Sequence, residues 1–249
     1  MLRIDNLVVT YGHGTNGVVA VNDVSLAVAS NEIVGLVGES GSGKSTLARA
    51  AVGLTPMTSG EVRWKGQPYD PGARGRRALE ARPIQYVFQD PYASLNPRMS
   101  VGSSVAEGLG RISRSAQVAR VAELLEMVRL DPGDASKLPR QLSGGQRQRV
   151  AIARALAAEP EILIADEITS SLDVSVQGAV LNLLREIQAR TQVGILFISH
   201  NLAVVRYMAD SIAVMKSGHL VEHGPAQSVI EMPSHPYTQE LLAAIPRMA

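Results

Sequence analysis

The stretch Gly38-Glu39-Ser40-Gly41-Ser42-Gly43-Lys44-Ser45-Thr46 decides the fold. It fits G-x-x-x-x-G-K-[ST], the phosphate-binding P-loop. The glycines let the backbone close into a tight cradle whose N–H groups point inward at phosphate oxygens. Lys44 can reach the β- and γ-phosphates as a compact point charge. The Ser45 hydroxyl is a suitable Mg²⁺ ligand. Both flanks agree with this reading. Residues 33–37, Ile-Val-Gly-Leu-Val, form the apolar run of a buried strand, and residues 46–52 carry the pattern of a helix. That helix would face the phosphates with the positive end of its dipole. A Gly/Ser-rich surface turn would have no reason to sit between such a strand and such a helix. The pattern specifies nucleotide binding, but neither which nucleotide nor what work it drives.

Composition narrows the class. The chain has 249 residues, 45% of them hydrophobic, which is enough for a packed core. A net charge of +1 argues against strong electrostatic capture of nucleic acid or anionic lipid. There is no cysteine, so disulfides, thiolate catalysis and cysteine-ligated metal centres are excluded. The opening residues Met1-Leu2-Arg3-Ile4-Asp5 lack a signal-peptide pattern, and no apolar run approaches the ~20 residues of a membrane helix. The expectation is a chain that is soluble or peripheral and serves a membrane, if at all, through partners.

Alternating segments at 2–10 and 18–29, with 61–65 behind them, read as antiparallel strands. Continuous apolar runs at 33–37, 84–88, 162–165, 195–198 and 212–215 suit strands buried on both faces of a parallel sheet. Helical spacing falls between several of them, at 115–130, 147–158 and 173–190, the last with Asp173 as its N-cap. The section from Asp90 to Gln141 has no sheet-like runs and reads as a helical insertion. A basic loop, Gly72-Ala73-Arg74-Gly75-Arg76-Arg77, reads as solvated. The expected fold is α/β: a P-loop NTPase core of mostly parallel sheet flanked by helices, with an N-terminal antiparallel β subdomain and an inserted helical subdomain. As a division of one domain over 1–249, residues 1–89 and 150–249 would form the core and 90–149 the helical part.

Two further motifs carry chemistry. Residues 161–167, Glu-Ile-Leu-Ile-Ala-Asp-Glu, are an apolar strand ending in two acids, where ligands bind in such sheets. Asp166 can hold Mg²⁺ through its water shell. Glu167 can polarise an attacking water as general base, a role worth ~10²–10⁴-fold in rate. Residues 142–146, Leu-Ser-Gly-Gly-Gln, then precede a helix and offer backbone donors and a hydroxyl to an anion. A single nucleotide does not obviously need two anion sites in one chain.

Here the sequence resembles the ATP-binding-cassette (ABC) ATPases, whose signature is this pentapeptide. The resemblance covers nearly the whole chain in family order. It implies that the P-loop binds ATP–Mg²⁺ through Gly38 and residues 40–46, and that Ser143, Gly144, Gly145 and Gln146 grip the γ-phosphate of ATP held by a second cassette, head-to-tail. It also places Tyr11 as the adenine-stacking aromatic, Gln89 as the Q-loop residue touching Mg²⁺ or water, Ser171-Leu172-Asp173 as the D-loop, and His200 as the γ-phosphate switch. The implied metal ligands are Ser45, Gln89 and Asp166; the implied catalytic residues are Glu167, His200 and Gln89. One departure is Ile168, where the family usually has proline after the glutamate.

The segment from Phe88 to Arg98 and the tail His235-Pro236-Tyr237-Thr238-Gln239-Glu240-Leu241-Leu242 look like the peptide/nickel importer branch. Many members continue beyond that tail into an iron–sulfur cysteine cluster, which a cysteine-free chain cannot supply. On residue pattern alone the tail is a small amphipathic helix with Leu241, Leu242 and Ile245 on the core. The resemblance implies an ATPase at the cytoplasmic face of the cell (inner) membrane, paired with itself or a related cassette and docked on two transmembrane permease subunits. An extracytoplasmic solute-binding protein would act indirectly, with peptides as cargo and nickel or another small solute as the alternative. An ABC ATPase of DNA repair or translation is a competing reading. The coiled coils, zinc cysteines or tandem cassettes of those relatives are not in the sequence, and no nucleic-acid partner is expected.

Overall fold

The computed structural model describes residues 1–12, 17–69, 83–170 and 172–244. The basic loop 72–77, Ser171 and Ile245 lie outside the described residues. The chain divides into two compact units: Met1–Ala73 with Gly194–Ala249, and Arg74–Val193.

In the first unit, β1 (Leu2–Tyr11) and β2 (Val18–Val28) pair antiparallel, and β4 (Ser59–Trp64) and β5 (Gln67–Pro68) extend that sheet in the order β2-β1-β4-β5. Alternation explains β1: Leu2, Ile4, Leu7 and Val9 are buried while their neighbours face outward. The alternation breaks between Ile4 and Leu7, where the register shifts. Asn6 there has φ 48° and its side-chain amide donates to Asp23, itself at φ 54°. Short polar side chains tolerate that left-handed backbone best.

The parallel strands of this unit are β3 (Ile33–Val37), β8 (Gly194–Ser199) and β9 (Ser211–Lys216), with β3 between the other two. Every residue of β3 and β8 is buried, as the uninterrupted apolar runs require. Beside β9 lies β10 (His219–Pro225), antiparallel. Among its described residues the unit also has four helices: α1 (Lys44–Ala51), α7 (Leu202–Met208), α8 (Ala226–Glu231) and α9 (Pro236–Ala243).

In the second unit, β6 (Ile84–Val87) and β7 (Ile162–Asp166) pair in parallel. Around them stand α2 (Pro91–Ser94), α3 (Val101–Ala106), α4 (Arg114–Met127), α5 (Gly144–Leu156) and α6 (Val174–Thr191), with 3₁₀ turns at Pro132–Ser136 and Pro139–Gln141. The expected helical character of 90–141 is met, and each start has a chemical reason. Ser100, Ser113 and Ser143 each accept an amide N–H of the first turn, and Asp90 accepts that of Tyr92. Asp173 occupies the N-cap position of α6 but makes no side-chain capping bond.

Candidate nucleotide site

In the first unit the P-loop links β3 to α1, as the sequence indicates. Gly43 is the N-cap of α1 with φ 102°, and a Cβ there would strike the carbonyl oxygen of Ala20, so the position admits only glycine. Lys44 is 4% exposed despite its charge. Its ammonium donates to the carbonyls of Gly38 (2.8 Å) and Glu39 (2.7 Å) and to Ser42 Oγ (3.3 Å). The loop therefore satisfies the buried lysine with its own oxygens. The Tyr11 ring ends β1 on the surface, with its hydroxyl 3.5 Å from Thr46 Oγ1. His200 directly follows β8 and is exposed.

The second unit brings Gln89, Asp166 and Glu167 together. Asp166 ends β7 at 1% exposure, and the Tyr86 hydroxyl donates to its Oδ2 at 2.5 Å. Glu167 adopts φ 47°, a left-handed backbone that costs a non-glycine residue ~1 kcal/mol or more. Ser170 closes this turn, donating from its amide (3.0 Å) and its hydroxyl (2.9 Å) to the Glu167 carbonyl. The Gln89 amide nitrogen donates to Glu167 Oε2 and to Ser170 Oγ, 3.2 Å each. Ile168, where proline is usual, is fully buried and pins the turn by packing. These bonds, with Ile168, hold the glutamate without the ring.

The signature opens α5 with a reciprocal cap: Ser143 Oγ accepts the Gln146 N–H, and Gln146 Oε1 accepts the Ser143 N–H. Gly144 and Gly145 follow as the first helical residues. A Cβ on Gly145 would sit 2.5 Å from Val176 Cγ1 in the first turn of α6, so glycine here permits close helix packing. Leu172 and Asp173 of the D-loop segment precede that turn. Two arginines of α5 tie the signature helix to the segment after Gln89. Arg147 donates to the Leu142 carbonyl at 2.8 Å and lies 5.4 Å from the Tyr92 ring centre. Arg154, whose pKa burial lowers, donates to the Ser94 carbonyl at 2.6 Å.

Tyr86, Arg147 and Arg154 carry no motif of their own, and the sequence reading did not single them out. The acid at 166 could have prompted a search for a donor on the neighbouring strand. Within the second unit Asp166 and Gln89 offer hard oxygens, the donor type Mg²⁺ takes, with one or two carboxylates and with waters and substrate phosphates completing its shell. Among the described residues no cluster of three or more His, Cys, Asp or Glu forms a metal cage.

The family model for ABC transporters matches residues 21–170, and the model for the C-terminal region of oligopeptide/dipeptide transporters matches residues 221–249. The chain is 47% identical over 258 residues to a candidate peptide import ATP-binding protein of Brucella abortus, covering 99% of this chain and 77% of that one. It is 46% identical over 256 residues to the glutathione import ATP-binding protein GsiA of Escherichia coli, again over 99% of this chain but only 41% of GsiA. Among solved structures, the ATP-binding cassette MJ0796, a dimer in a post-hydrolysis state bound to ADP and Pi, superposes with TM-score 0.79 at 30% identity over 91% of this chain and 99% of that one. CbiO1 of Clostridium perfringens, part of the ABC transporter complex cbiONQ, gives 0.80 at 29% over 93% and 90%.

Proposed function

The chain belongs to the ABC transporter family as an ATP-hydrolysing cassette, and on that premise we propose that it powers an importer of peptides or peptide-like solutes. The observation that carries the cargo assignment is the pair of matches, cassette over 21–170 and oligopeptide/dipeptide region over 221–249, in a chain whose relatives include peptide and glutathione import proteins. The chain works at the cytoplasmic face of the membrane through permease subunits. No helix among the described residues is long and apolar enough to cross a bilayer.

Each residue has a part. The P-loop amides and Lys44 bind the phosphates of ATP, with Lys44 exchanging its loop carbonyls for phosphate oxygens. Tyr11 stacks on the base. Ser45, Asp166 and Gln89 would hold Mg²⁺, which would supply positive charge against the phosphates. Glu167 takes a proton from the attacking water. Its carboxylate is already held by Gln89, which links the base to the segment leading to Tyr92, a ring 57% exposed and free to meet a permease. His200 contacts the γ-phosphoryl. Ser143, Gly144, Gly145 and Gln146 serve ATP in an opposing cassette, and Asp173 lies at that interface. The dimeric state of MJ0796 supports this pairing. Two chains closing on two nucleotides convert differential ATP affinity into motion of the permease.

Glu167→Gln tests the reading. It should retain ATP binding, cut turnover by at least ~10²-fold, accumulate a closed dimer on light scattering, and abolish uptake of a labelled dipeptide in cells that depend on this chain. Undiminished hydrolysis would remove Glu167 as the base. Dipeptide uptake that survives the substitution would remove the cargo assignment.

A further inference from the structure

Two groups from outside the P-loop hold its backbone within the first unit. The Gly218 N–H, from the turn between β9 and β10, donates to the Ser42 carbonyl at 3.0 Å. The Tyr237 hydroxyl, from the C-terminal helix α9, accepts the Glu39 N–H at 2.9 Å. Tyr237 is 2% exposed, and Lys216 Nζ lies 4.4 Å from its ring centre. Burial raises its pKa, so the phenol stays neutral at physiological pH.

The helix that carries Tyr237 is itself anchored. The Glu222 carboxylate on β10 accepts the Ser234 N–H (2.8 Å), the Ser234 hydroxyl (2.9 Å) and the His235 N–H (3.1 Å). His235 Nδ1 then accepts the Tyr237 N–H at 3.1 Å, with Pro236 at the first helical position. A continuous hydrogen-bonded path thus runs from β10 through the start of α9 to Glu39. The amphipathic helix expected of the tail is present, but Leu241 and Leu242 are only half-buried. Tyr237 and Thr238 are the residues α9 buries.

Glu39 is where this path meets the phosphate site. Its N–H is turned to Tyr237, and its carbonyl accepts both Lys44 Nζ (2.7 Å) and the Ser42 N–H (3.2 Å). Phosphate oxygens would compete with those carbonyls for the Lys44 ammonium. The loop's internal clamp then weakens at the moment it must hold a defined shape. Anchors that do not depend on Lys44 preserve that shape, and the cost of ordering the loop is met in advance.

We propose that Tyr237 is a positioning residue for nucleotide binding: through the Glu39 peptide it braces the P-loop, so that the C-terminal segment acts on the ATP site of its own chain. The proposal rests on the reading of the P-loop as that site. Tyr237→Phe is the cleanest probe, because it keeps the ring, its burial and the Lys216 contact and removes one hydroxyl. A single hydrogen bond of this kind is worth about 0.5–1.5 kcal/mol, or roughly a two- to twelvefold change in affinity.

Expected is a rise of that size in the dissociation constant of a fluorescent ATP analogue and in KM for ATP, with kcat at saturating ATP unchanged. An unchanged dissociation constant, or a loss of kcat at unchanged KM, overturns the brace. Amide exchange in the wild-type protein is independent of any variant: Glu39 should be protected without nucleotide, and a freely exchanging Glu39 amide overturns the proposal. Lys44→Ala run in parallel separates the two levels. Affinity lost there but kept in Tyr237→Phe defeats the brace alone; affinity kept in Lys44→Ala defeats the site reading and the brace with it.

Discussion

Gly145→Ala inserts one methyl group where α5 meets α6. The new Cβ would lie 2.5 Å from Val176 Cγ1, against a carbon–carbon optimum of about 3.5–4.0 Å, so about 1 Å must be found. Val176 cannot easily supply it, because a β-branched side chain within a helix has one strongly preferred rotamer. Either the valine leaves that rotamer or the helices separate, and overpacking of this kind costs about 1–3 kcal/mol. Helix propensity pulls the other way, by at most about 1 kcal/mol for Gly to Ala. The clash outweighs propensity over most of that range, and a net loss of up to about 2 kcal/mol should lower Tm by up to about 8 °C in a chain of this length. The decisive measurement adds Val176→Ala. With the γ-methyl gone the clash disappears but the propensity gain remains, so Gly145→Ala should turn from destabilising to neutral or stabilising in that background. Differential scanning fluorimetry of the four proteins gives the coupling directly. Equal effects of Gly145→Ala in both backgrounds would refute the packing argument.

Two more perturbations probe the bonds around the site. Tyr86→Phe removes the donor on Asp166 Oδ2 and should raise the Mg²⁺ concentration for half-maximal ATPase severalfold, while ATP-analogue binding in EDTA stays constant; an unaltered Mg²⁺ profile would count against Tyr86 as the support of that carboxylate. Glu222 responds to pH. Burial pushes its pKa up, but the Thr238 hydroxyl beside it and the bonds from Ser234 and His235 together outweigh this. The net pKa lies below the usual glutamate value of 4.5. A depressed carboxylate pKa contributes stability that is complete above the unfolded value and fades as pH falls through the folded one. Exchange of the Ser234 and His235 amides should therefore accelerate only below that usual value in the wild type, and already at neutral pH in Glu222→Gln; equal protection at neutral pH would show that the carboxylate does not anchor the segment.

What could be read from the chain without coordinates follows from how far apart the interacting residues lie. The P-loop, the strand ending in Asp166 and Glu167, and the signature are local: strand, turn and cap sit within about ten residues, and composition encodes each. Strands β3, β7 and β8 announce themselves because burial on both faces forces an unbroken apolar run. Strand β10 does not, since His-Leu-Val-Glu-His-Gly-Pro is only half-buried and exists as a strand by pairing with β9. The side-chain bonds that prepare the site are the opposite of local. Gln89 meets Glu167 across 78 positions, Tyr86 meets Asp166 across 80, and Tyr237 meets Glu39 across 198. A tyrosine's apolar ring satisfies the pattern of a strand or a helix face whatever its hydroxyl does, so nothing in the spacing of Tyr86 or Tyr237 distinguishes a packing residue from one that holds an acid or a loop. The tail shows the consequence. Its leucines fit a helix packed by its apolar face, yet the buried contact is made by the tyrosine, because a phenol is long enough to fill the core and still bond the P-loop with its tip. Motifs therefore locate the chemistry, while the residues that set its geometry are found only where the fold returns distant hydroxyls and amides to the motif.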